Sequence, residues 1–214
     1  MENTTDMRVA VDDALRASYR RVTRCQSRRG DKFWLKRVER SSPFLWMVKG
    51  LPREAFERDR RSHRLLWSWG APVPAILLEG EDFFAVEDAG ASLTRFCKST
   101  FVRAAEKEKA CRTAGQALAR LHSAGLCHGR PAFRDMCWDG YRIRFIDFEY
   151  FVPARAGWLR KARDVCIAVL SAICQGVAGP RYACLLLSAY YAAWGGQADY
   201  VIEPLRERSS MRAG

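Results

Sequence analysis

Two aspartates on either side of a short predicted hairpin are the residues of this chain whose types and spacing could support chemistry. Asp135 follows a polar turn that begins at His128, and Asp147 ends a run of alternating polar and apolar residues that starts at Arg142. The Asp-Gly dipeptide at 139–140 is a strong hairpin signal, so both carboxylates are expected at neighbouring edges of one hairpin. Mg²⁺ takes oxygen ligands, and one or two carboxylates with nucleotide phosphates complete its shell. Phosphoryl transfer needs such a pair; the alternative is a hairpin with ordinary exposed acids.

Helices on both sides are expected to position this segment. From Glu106 to Ser123, apolar residues recur at spacings of three and four, which predicts a helix with one buried face. Gly125 is expected to end that helix. An apolar helix is predicted from Lys161 onward, with Asp164 near its start, and another from Arg181 to Trp194. Each apolar run is nearer to about twelve residues than to the roughly twenty that a bilayer requires.

A predicted hairpin near the start of the chain carries a lysine on its apolar face. Two strand-like runs, 19–27 and 32–40, are joined by a polar turn that contains one glycine. In the second run, alternation places Lys36 on one face with Trp34 and Val38. A lysine among apolar neighbours needs an anionic partner, although a lysine at a sheet edge can also extend its ammonium group into water.

The next predicted helix offers acids that could be such a partner. It runs from Pro52 to Trp69, and Asp59 lies on one face with Phe56. Asp59 is the acid that helix periodicity selects, and the alternative is a solvated acid among neighbouring arginines. Lys49 is a second candidate for the role of Lys36.

The segment from Leu121 to Tyr150 resembles the catalytic core of kinases, especially the small lipopolysaccharide sugar kinases and the aminoglycoside-kinase relatives. Asp147-Phe148-Glu149 stands where those families have their Asp-Phe-Gly metal loop. Asp135 falls seven residues after His128, where the His-x-Asp-x-x-x-x-Asn catalytic loop has its metal-binding Asn. Arg130 replaces the catalytic Asp of that loop, and an arginine cannot accept a proton from a hydroxyl at any ordinary pH.

The resemblance implies roles for these residues. His128 and Arg130 belong to the catalytic loop, and Arg130 could contact a phosphate. Asp135 and Asp147 would hold Mg²⁺, and Asp135 could act as the base if Asp147 alone holds the metal. The base is otherwise unassigned. Asp164 would support the catalytic loop without taking part in catalysis.

The resemblance also implies an ATP site with contributions from the first half of the chain. Lys36 would orient the phosphates, and Asp59 would hold Lys36. The backbone of Glu87, Asp88 and Ala89 would hydrogen-bond adenine as the hinge between two lobes; the alternative is a simple linker.

The resemblance covers roughly residues 19–191 and implies an α+β, two-lobed, protein kinase-like fold. Residues 1–88 would form a first lobe with a small sheet and one long helix. Residues 89–214 would form a mainly helical second lobe that contains the catalytic hairpin.

Composition indicates the kind of partner. The 36 basic residues exceed the 24 acidic ones, so the net charge is +12 and the partners are expected to be anionic. No nucleic-acid reading motif, zinc spacing or nucleophile elbow is found. The eight cysteines form no Cys-x-x-Cys pair, and the start of the chain is polar and acidic. These features favour reduced, buried thiols and a cytoplasmic protein, with peripheral contact to an inner membrane as a further expectation.

The leading hypothesis is ATP- and Mg²⁺-dependent phosphoryl transfer to a hydroxyl. An anionic saccharide of the lipopolysaccharide type is the first candidate acceptor, and a protein serine or threonine hydroxyl is the second. The alternative, from a different functional class, is a pseudokinase that binds a nucleotide, a lipid or a protein partner without transferring phosphate.

Overall fold

A computed structural model describes residues 2–39 and 52–195. The chain divides into two compact units, one formed by residues 1–64 with 74–88 and the other by 65–73 with 89–214. Residues 65–73, which the sequence analysis placed in the first lobe, therefore group with the second unit. The candidate Lys49 lies outside the described residues.

The first unit contains a four-stranded antiparallel sheet between two helices. Its strands have the order β1-β2-β4-β3. The elements are α1 (Glu2–Ala17), β1 (Val22–Gln26), β2 (Lys32–Arg37), α2 (Pro52–Ser68, whose last turn belongs to the second unit), β3 (Ile76–Glu79) and β4 (Phe83–Glu87).

Alternation along β2 divides the core of the first unit into two layers. Phe33 and Leu35 are buried on one face, where Met7 and Val11 of α1 pack against them. On the other face Trp34 packs near a cluster formed by Phe56, Phe84 and Val86. Helix α1 was not predicted from the sequence. Its signal is the pair Met7 and Val11, one helical turn apart, followed by Ala14 and Leu15 on the same side.

The second unit is mainly helical and includes a small three-stranded sheet of order β5-β6-β7. Its elements are β5 (Ala91–Ser92), α3 (Leu93–Lys98), α4 (Ala104–Ser123), β6 (Met136–Trp138), β7 (Ile143–Phe145), α5 (Trp158–Ile173) and α6 (Gly179–Gly195). The predicted helix at Lys161 therefore begins three residues earlier, and the predicted hairpin is β6-β7. In the described part of the chain, no helix combines the length and apolar character needed to cross a membrane.

Helices α4 and α6 form the centre of the second unit at very short range. Gly115 of α4 lies so close to α6 that a Cβ atom added there would meet the Leu186 carbonyl oxygen at 2.1 Å. The surrounding core includes Leu118, Phe133 and Phe145, which are all fully buried. This core fixes the segment that runs from α4 through the β6-β7 hairpin.

All eight cysteines are free thiols. The prediction of buried thiols is correct for five of them and wrong for Cys166, Cys174 and Cys184, which are exposed. These three lie on or next to α5 and α6, where the apolar sequence pattern continues onto the exposed helix surface.

Candidate active site

The loop after α4 is anchored by one buried carboxylate. Asp164 of α5 is 1% exposed. Its Oδ2 accepts a hydrogen bond from the His128 backbone N–H at 2.7 Å, and its Oδ1 accepts one from the Gly129 N–H at 3.0 Å. Because a buried carboxylate that accepts two backbone donors is strongly oriented, Asp164 fixes the path of this loop. Its position agrees with the supporting role that the resemblance implied.

Gly129 is required by the path of the loop. Its φ of +96° lies in the left-handed region. A Cβ atom at this position would also lie 2.5 Å from the Tyr150 carbonyl oxygen. The loop backbone is therefore packed directly against the chain that follows Asp147.

His128 occupies a fixed, buried position. Its Nδ1 accepts a hydrogen bond from the Arg130 backbone N–H at 3.3 Å, so Nε2 carries the proton and donates it to the Ile146 carbonyl at 2.9 Å. Burial lowers the pKa of His128, and its ring packs 4.7 Å from that of Phe148. The sequence analysis grouped His128 with the catalytic residues. As placed, both ring nitrogens bond to backbone, which gives His128 a positioning role.

A second buried histidine extends this network. His122 contacts the Tyr190 hydroxyl through Nδ1 at 2.9 Å and Asp164 Oδ2 through Nε2 at 3.3 Å. Cys127 lies beside them, and burial together with the Asp164 charge raises its pKa to about 12. Within the described residues, His122, Cys127 and Asp164 are the one group of three whose ligand atoms are close enough for a metal ion. Because hydrogen bonds already engage His122 and Asp164 and the thiol stays protonated, this cluster is a structural network.

Asp147 stands in an uncommon backbone conformation two residues after β7. Its φ is +66°, and it is the one non-glycine residue with positive φ in the described part of the chain. Such conformations cost free energy for residues with a Cβ and concentrate at functional sites. Phe148, the next residue, is 1% exposed and packs against His128. Burial of Phe148 therefore holds the turn that presents the Asp147 carboxylate.

Asp135 lies at the opposite side of the same hairpin. It is 4% exposed, and its carbonyl accepts a hydrogen bond from the Ile146 N–H at 2.9 Å. Burial and the nearby negative charge of Asp147 raise the pKa of Asp135 to about 6. This effect on Asp135 means that the two carboxylates are close together, at neighbouring edges of the hairpin.

Arg130 contacts the second of these acids. Its Nη2 donates a hydrogen bond to Asp147 Oδ2 at 2.9 Å, and its guanidinium lies 4.8 Å from the centre of the Tyr150 ring. Arg130 is therefore a cation that pairs with Asp147. The sequence analysis did not foresee this ion pair or the contact with Tyr150.

Three polar atoms of this cluster are buried without a hydrogen-bond partner. They are Asp135 Oδ2, Asp147 Oδ1 and Arg130 Nε. Buried polar atoms normally have partners, so atoms without them indicate a site for a ligand or ion. Two carboxylate oxygens with open lone pairs are the donor set that Mg²⁺ prefers, so the residues fit a divalent cation.

The first unit brings Lys36 and Asp59 together. Lys36 Nζ lies 2.7 Å from Asp59 Oδ2, and both side chains are largely buried. The Lys36 ammonium also lies 5.4 Å from the centre of the Phe84 ring. This ion pair holds the lysine on the apolar face of the sheet. Contact of Lys36 with phosphate stays a prediction.

The predicted adenine-binding residues lie at the end of β4. The Glu87 N–H donates to the Ala75 carbonyl at 3.0 Å, so this group is used within the sheet. The Asp88 carboxylate accepts hydrogen bonds from Arg24 at 2.7 Å and from the Trp34 indole at 3.2 Å. Ala89 is buried. The side chains of Glu87 and Asp88 are thus involved in local structure, and adenine binding by these residues stays a prediction.

A solved structure shares the fold of this chain. The crystal structure of an aminoglycoside-3'-phosphotransferase of type VIII superposes with a TM-score of 0.55, and the match covers 89% of this chain and 94% of that one. The chain has the kinase-like fold. The predicted α+β, two-lobed fold class is therefore confirmed. Because the sequence identity is 15%, the likeness shows the fold alone.

Comparison of sequences gives a partial match to a bacterial protein. The chain is 32% identical over 120 residues to an uncharacterized protein of Haemophilus influenzae strain Rd. The match covers 56% of this chain and 50% of the relative, so the chain spans about half the length of that protein. No protein-family model matches the chain.

Proposed function

We propose that this kinase-like chain transfers phosphate from ATP to a hydroxyl in an Mg²⁺-dependent reaction. The observation that carries the proposal is the pair Asp135 and Asp147, each with a buried carboxylate oxygen that lacks a hydrogen-bond partner. A loop that Asp164 and His128 hold in place presents both acids. Phosphoryl transfer depends mainly on positioning and charge stabilisation, which is what such a rigid site provides.

Each acid has an assigned role in this proposal. Asp147 and Asp135 would hold Mg²⁺, which would neutralise charge on the phosphates when bound. If Asp147 alone holds the metal, Asp135 is the candidate general base, because its pKa of about 6 is close to neutral pH. Arg130 cannot accept a proton and would instead contribute positive charge.

The first unit would contribute phosphate and adenine contacts. Lys36, fixed by Asp59, is expected to orient the phosphates because its ammonium is held in one geometry by the 2.7 Å ion pair. The backbone at 87–89 is expected to bind adenine. The β1-β2 turn offers a single glycine, Gly30, in the left-handed region, so the neighbouring basic side chains Arg28 and Arg29 would replace a glycine-rich phosphate loop.

The acceptor is proposed to be an anionic saccharide, and a protein hydroxyl is the second candidate. The net charge of +12 favours an anionic acceptor. A peripheral contact with an anionic membrane is proposed from α5. Its exposed face carries Leu159, Leu170 and Ile173 together with Arg163, whereas Asp164, the one acid within α5, is buried.

Arg130 favours a second candidate function, a pseudokinase that binds nucleotide without transferring phosphate. The replaced catalytic Asp is the specific observation behind it. The comparison of wild type with Arg130→Asp separates the two functions. An active enzyme forms ADP without the substitution, whereas a pseudokinase forms none or gains activity only with the restored aspartate.

The experiment that tests the leading proposal is ADP formation from ATP with Mg²⁺ and a set of hydroxyl acceptors. Asp147→Asn should abolish ADP formation. Asp139→Asn is the matched control, because the Asp139 carboxylate accepts hydrogen bonds from the backbone of Tyr141 and Arg142 within the hairpin loop. Retention of activity in the control and its loss in Asp147→Asn supports the proposal. Equal activity of both variants refutes it.

A further inference from the structure

The contact between Arg130 and Asp147 places a cation where a metal ion would bind. Arg130 Nη2 lies 2.9 Å from Asp147 Oδ2. The other oxygen of this carboxylate, Oδ1, is buried and has no hydrogen-bond partner. One carboxylate oxygen therefore pairs with a guanidinium, and the other has no hydrogen-bond partner.

Three features hold Arg130 at this position. Its backbone N–H donates to His128 Nδ1 at 3.3 Å, and His128 is itself bonded to Ile146. Its guanidinium lies 4.8 Å from the centre of the Tyr150 ring, close enough for a cation–π contact. Packing against Gly129, which a Cβ atom would prevent, keeps Tyr150 beside the loop. The contact is therefore part of a built site and differs from a chance pairing of two surface charges.

We infer that Arg130 is a resident cation that competes with divalent metal for Asp147 and makes metal binding weak until nucleotide is present. The inference deepens the proposed function and rests on its assignment of Asp147 as a metal ligand. Like charges repel at short range, so a metal ion bound to Asp147 must displace Arg130 or bind beside it. Either path lowers the metal affinity of the free protein.

A nucleotide would reverse this competition. Arg130 Nε is buried without a partner, so the guanidinium keeps an unused donor. Two oxygens of a phosphate group can accept a bidentate pair of hydrogen bonds from the planar guanidinium. If Arg130 moved to a phosphate, Asp147 would be released for the metal. Binding energies are reciprocal, so nucleotide and metal should strengthen each other's binding.

The test measures Mn²⁺ binding to the nucleotide-free protein by electron paramagnetic resonance. Arg130→Gln should tighten Mn²⁺ binding by roughly tenfold or more, as expected when a charged hydrogen bond to a ligand group is removed. Arg130→Lys, which keeps the charge, should bind Mn²⁺ about as weakly as wild type. The double variant Arg130→Gln with Asp147→Asn should lose the gain.

Arg134→Gln is the matched control. Arg134 Nε lies 3.6 Å from Asp135 Oδ1, and the Arg134 side chain is 60% exposed. The substitution therefore removes one positive charge beside Asp135, from an exposed side chain. This control should change Mn²⁺ affinity by less than about threefold. Thermal unfolding of every variant checks that each one is folded.

Three results would overturn the inference. They are unchanged Mn²⁺ affinity in folded Arg130→Gln, equal tightening in Arg130→Gln and Arg134→Gln, and absence of Mn²⁺ binding in every protein. The proposed function can fail separately. If Arg130→Gln binds Mn²⁺ more tightly but no protein forms ADP, then Arg130 controls a metal site that does not transfer phosphate.

Discussion

Asp135 combines burial with a negative neighbour, and both disfavour its ionised form. Its pKa of about 6 lies well above the ordinary value of 3.8. The folded protein therefore binds a proton that the unfolded chain has already released between about pH 4 and pH 6. In that window, a rise in pH lowers the free energy of unfolding, and the loss is complete above pH 6.

The substitution Asp135→Asn should remove this pH dependence. We expect the variant to be more stable than wild type by roughly 1–3 kcal/mol at pH 7 and about equal at pH 4, because each unit of pKa shift corresponds to about 1.4 kcal/mol. Urea unfolding in metal-free buffer, followed by tryptophan fluorescence from pH 4 to pH 7, measures the difference. Asp147→Asn should move the window to lower pH because it removes the neighbouring charge. If the free energy of unfolding changed with pH in the same way in wild type and in Asp135→Asn, the prediction would be contradicted.

Some residue placements followed from local periodicity, and others could not. Lys36 and Asp59 were expected to meet because the resemblance implied a pair between a strand lysine and a helix acid, and the periods of strand and helix selected these two residues. The contact of Arg130 with Asp147 depends on the positive φ at Asp147 and on the path of the loop, which no short-range pattern specifies. His128 contacts Asp164, Ile146 and Phe148, which are distant from it in the sequence, so no local pattern could predict its burial. The resemblance to the catalytic loop had grouped it with the catalytic residues.

At the scale of elements, the close approach of α4 to α6 depends on Gly115. Alanine normally stabilises a helix by about 1 kcal/mol relative to glycine. At Gly115 the added Cβ would meet the Leu186 carbonyl at 2.1 Å, so the sign should reverse. We expect Gly115→Ala to lower the free energy of unfolding by roughly 1–3 kcal/mol.

The control for this substitution is Gly157→Ala before α5. A Cβ at Gly157 would have no neighbour within 4 Å, and its φ of −71° suits any residue. Its effect should stay within about 1 kcal/mol. Urea unfolding of both variants measures the contrast, and a stabilised Gly115→Ala protein would show that the two helices are not in direct backbone contact.

The exposed face of α5 predicts binding to anionic membranes. Leu170 and Ile173 are 62% and 44% exposed, and Arg163 lies on the same face. The double substitution Leu170→Glu with Ile173→Glu should weaken cosedimentation with phosphatidylglycerol vesicles by roughly tenfold. It removes apolar surface that would insert into the membrane and adds negative charge that the anionic lipid repels. Phe101→Glu, at a residue outside α5 that is 97% exposed, is the control and should bind nearly as well as wild type. Equal binding of both variants would exclude α5 as the contact.

Most elements were predictable from sequence, because their signals are local. Apolar spacing gave α4 and α2 nearly to their ends, and the Asp-Gly dipeptide indicated the β6-β7 hairpin. The missed helix, α1, has only two buried apolar residues, Met7 and Val11. Its other apolar residues on this side, Ala10, Ala14 and Leu15, are only partly buried, and its stability comes from packing on the sheet.

At the scale of the whole molecule, each unit has its own hydrophobic core. The first has layers on both faces of its sheet, and the second has one large cluster around α4. The resemblance identified this kinase-like organisation from the order of motifs along the chain. The sequence-based division placed segment 65–73 in the first lobe, whereas it belongs to the second unit. The segment continues a helix that begins in the first unit, and helix periodicity does not indicate where one unit ends and the next begins.

The central claim is that Asp147 belongs to a metal-dependent nucleotide site. Calorimetric titration with ATP, with and without Mg²⁺, tests it most directly when the intact protein is compared with Asp147→Ala. We expect Mg²⁺ to strengthen ATP binding to the wild type, and we expect Asp147→Ala to remove this strengthening while the protein stays folded. ATP binding that is absent under both conditions, or that Asp147→Ala leaves unchanged, would contradict it.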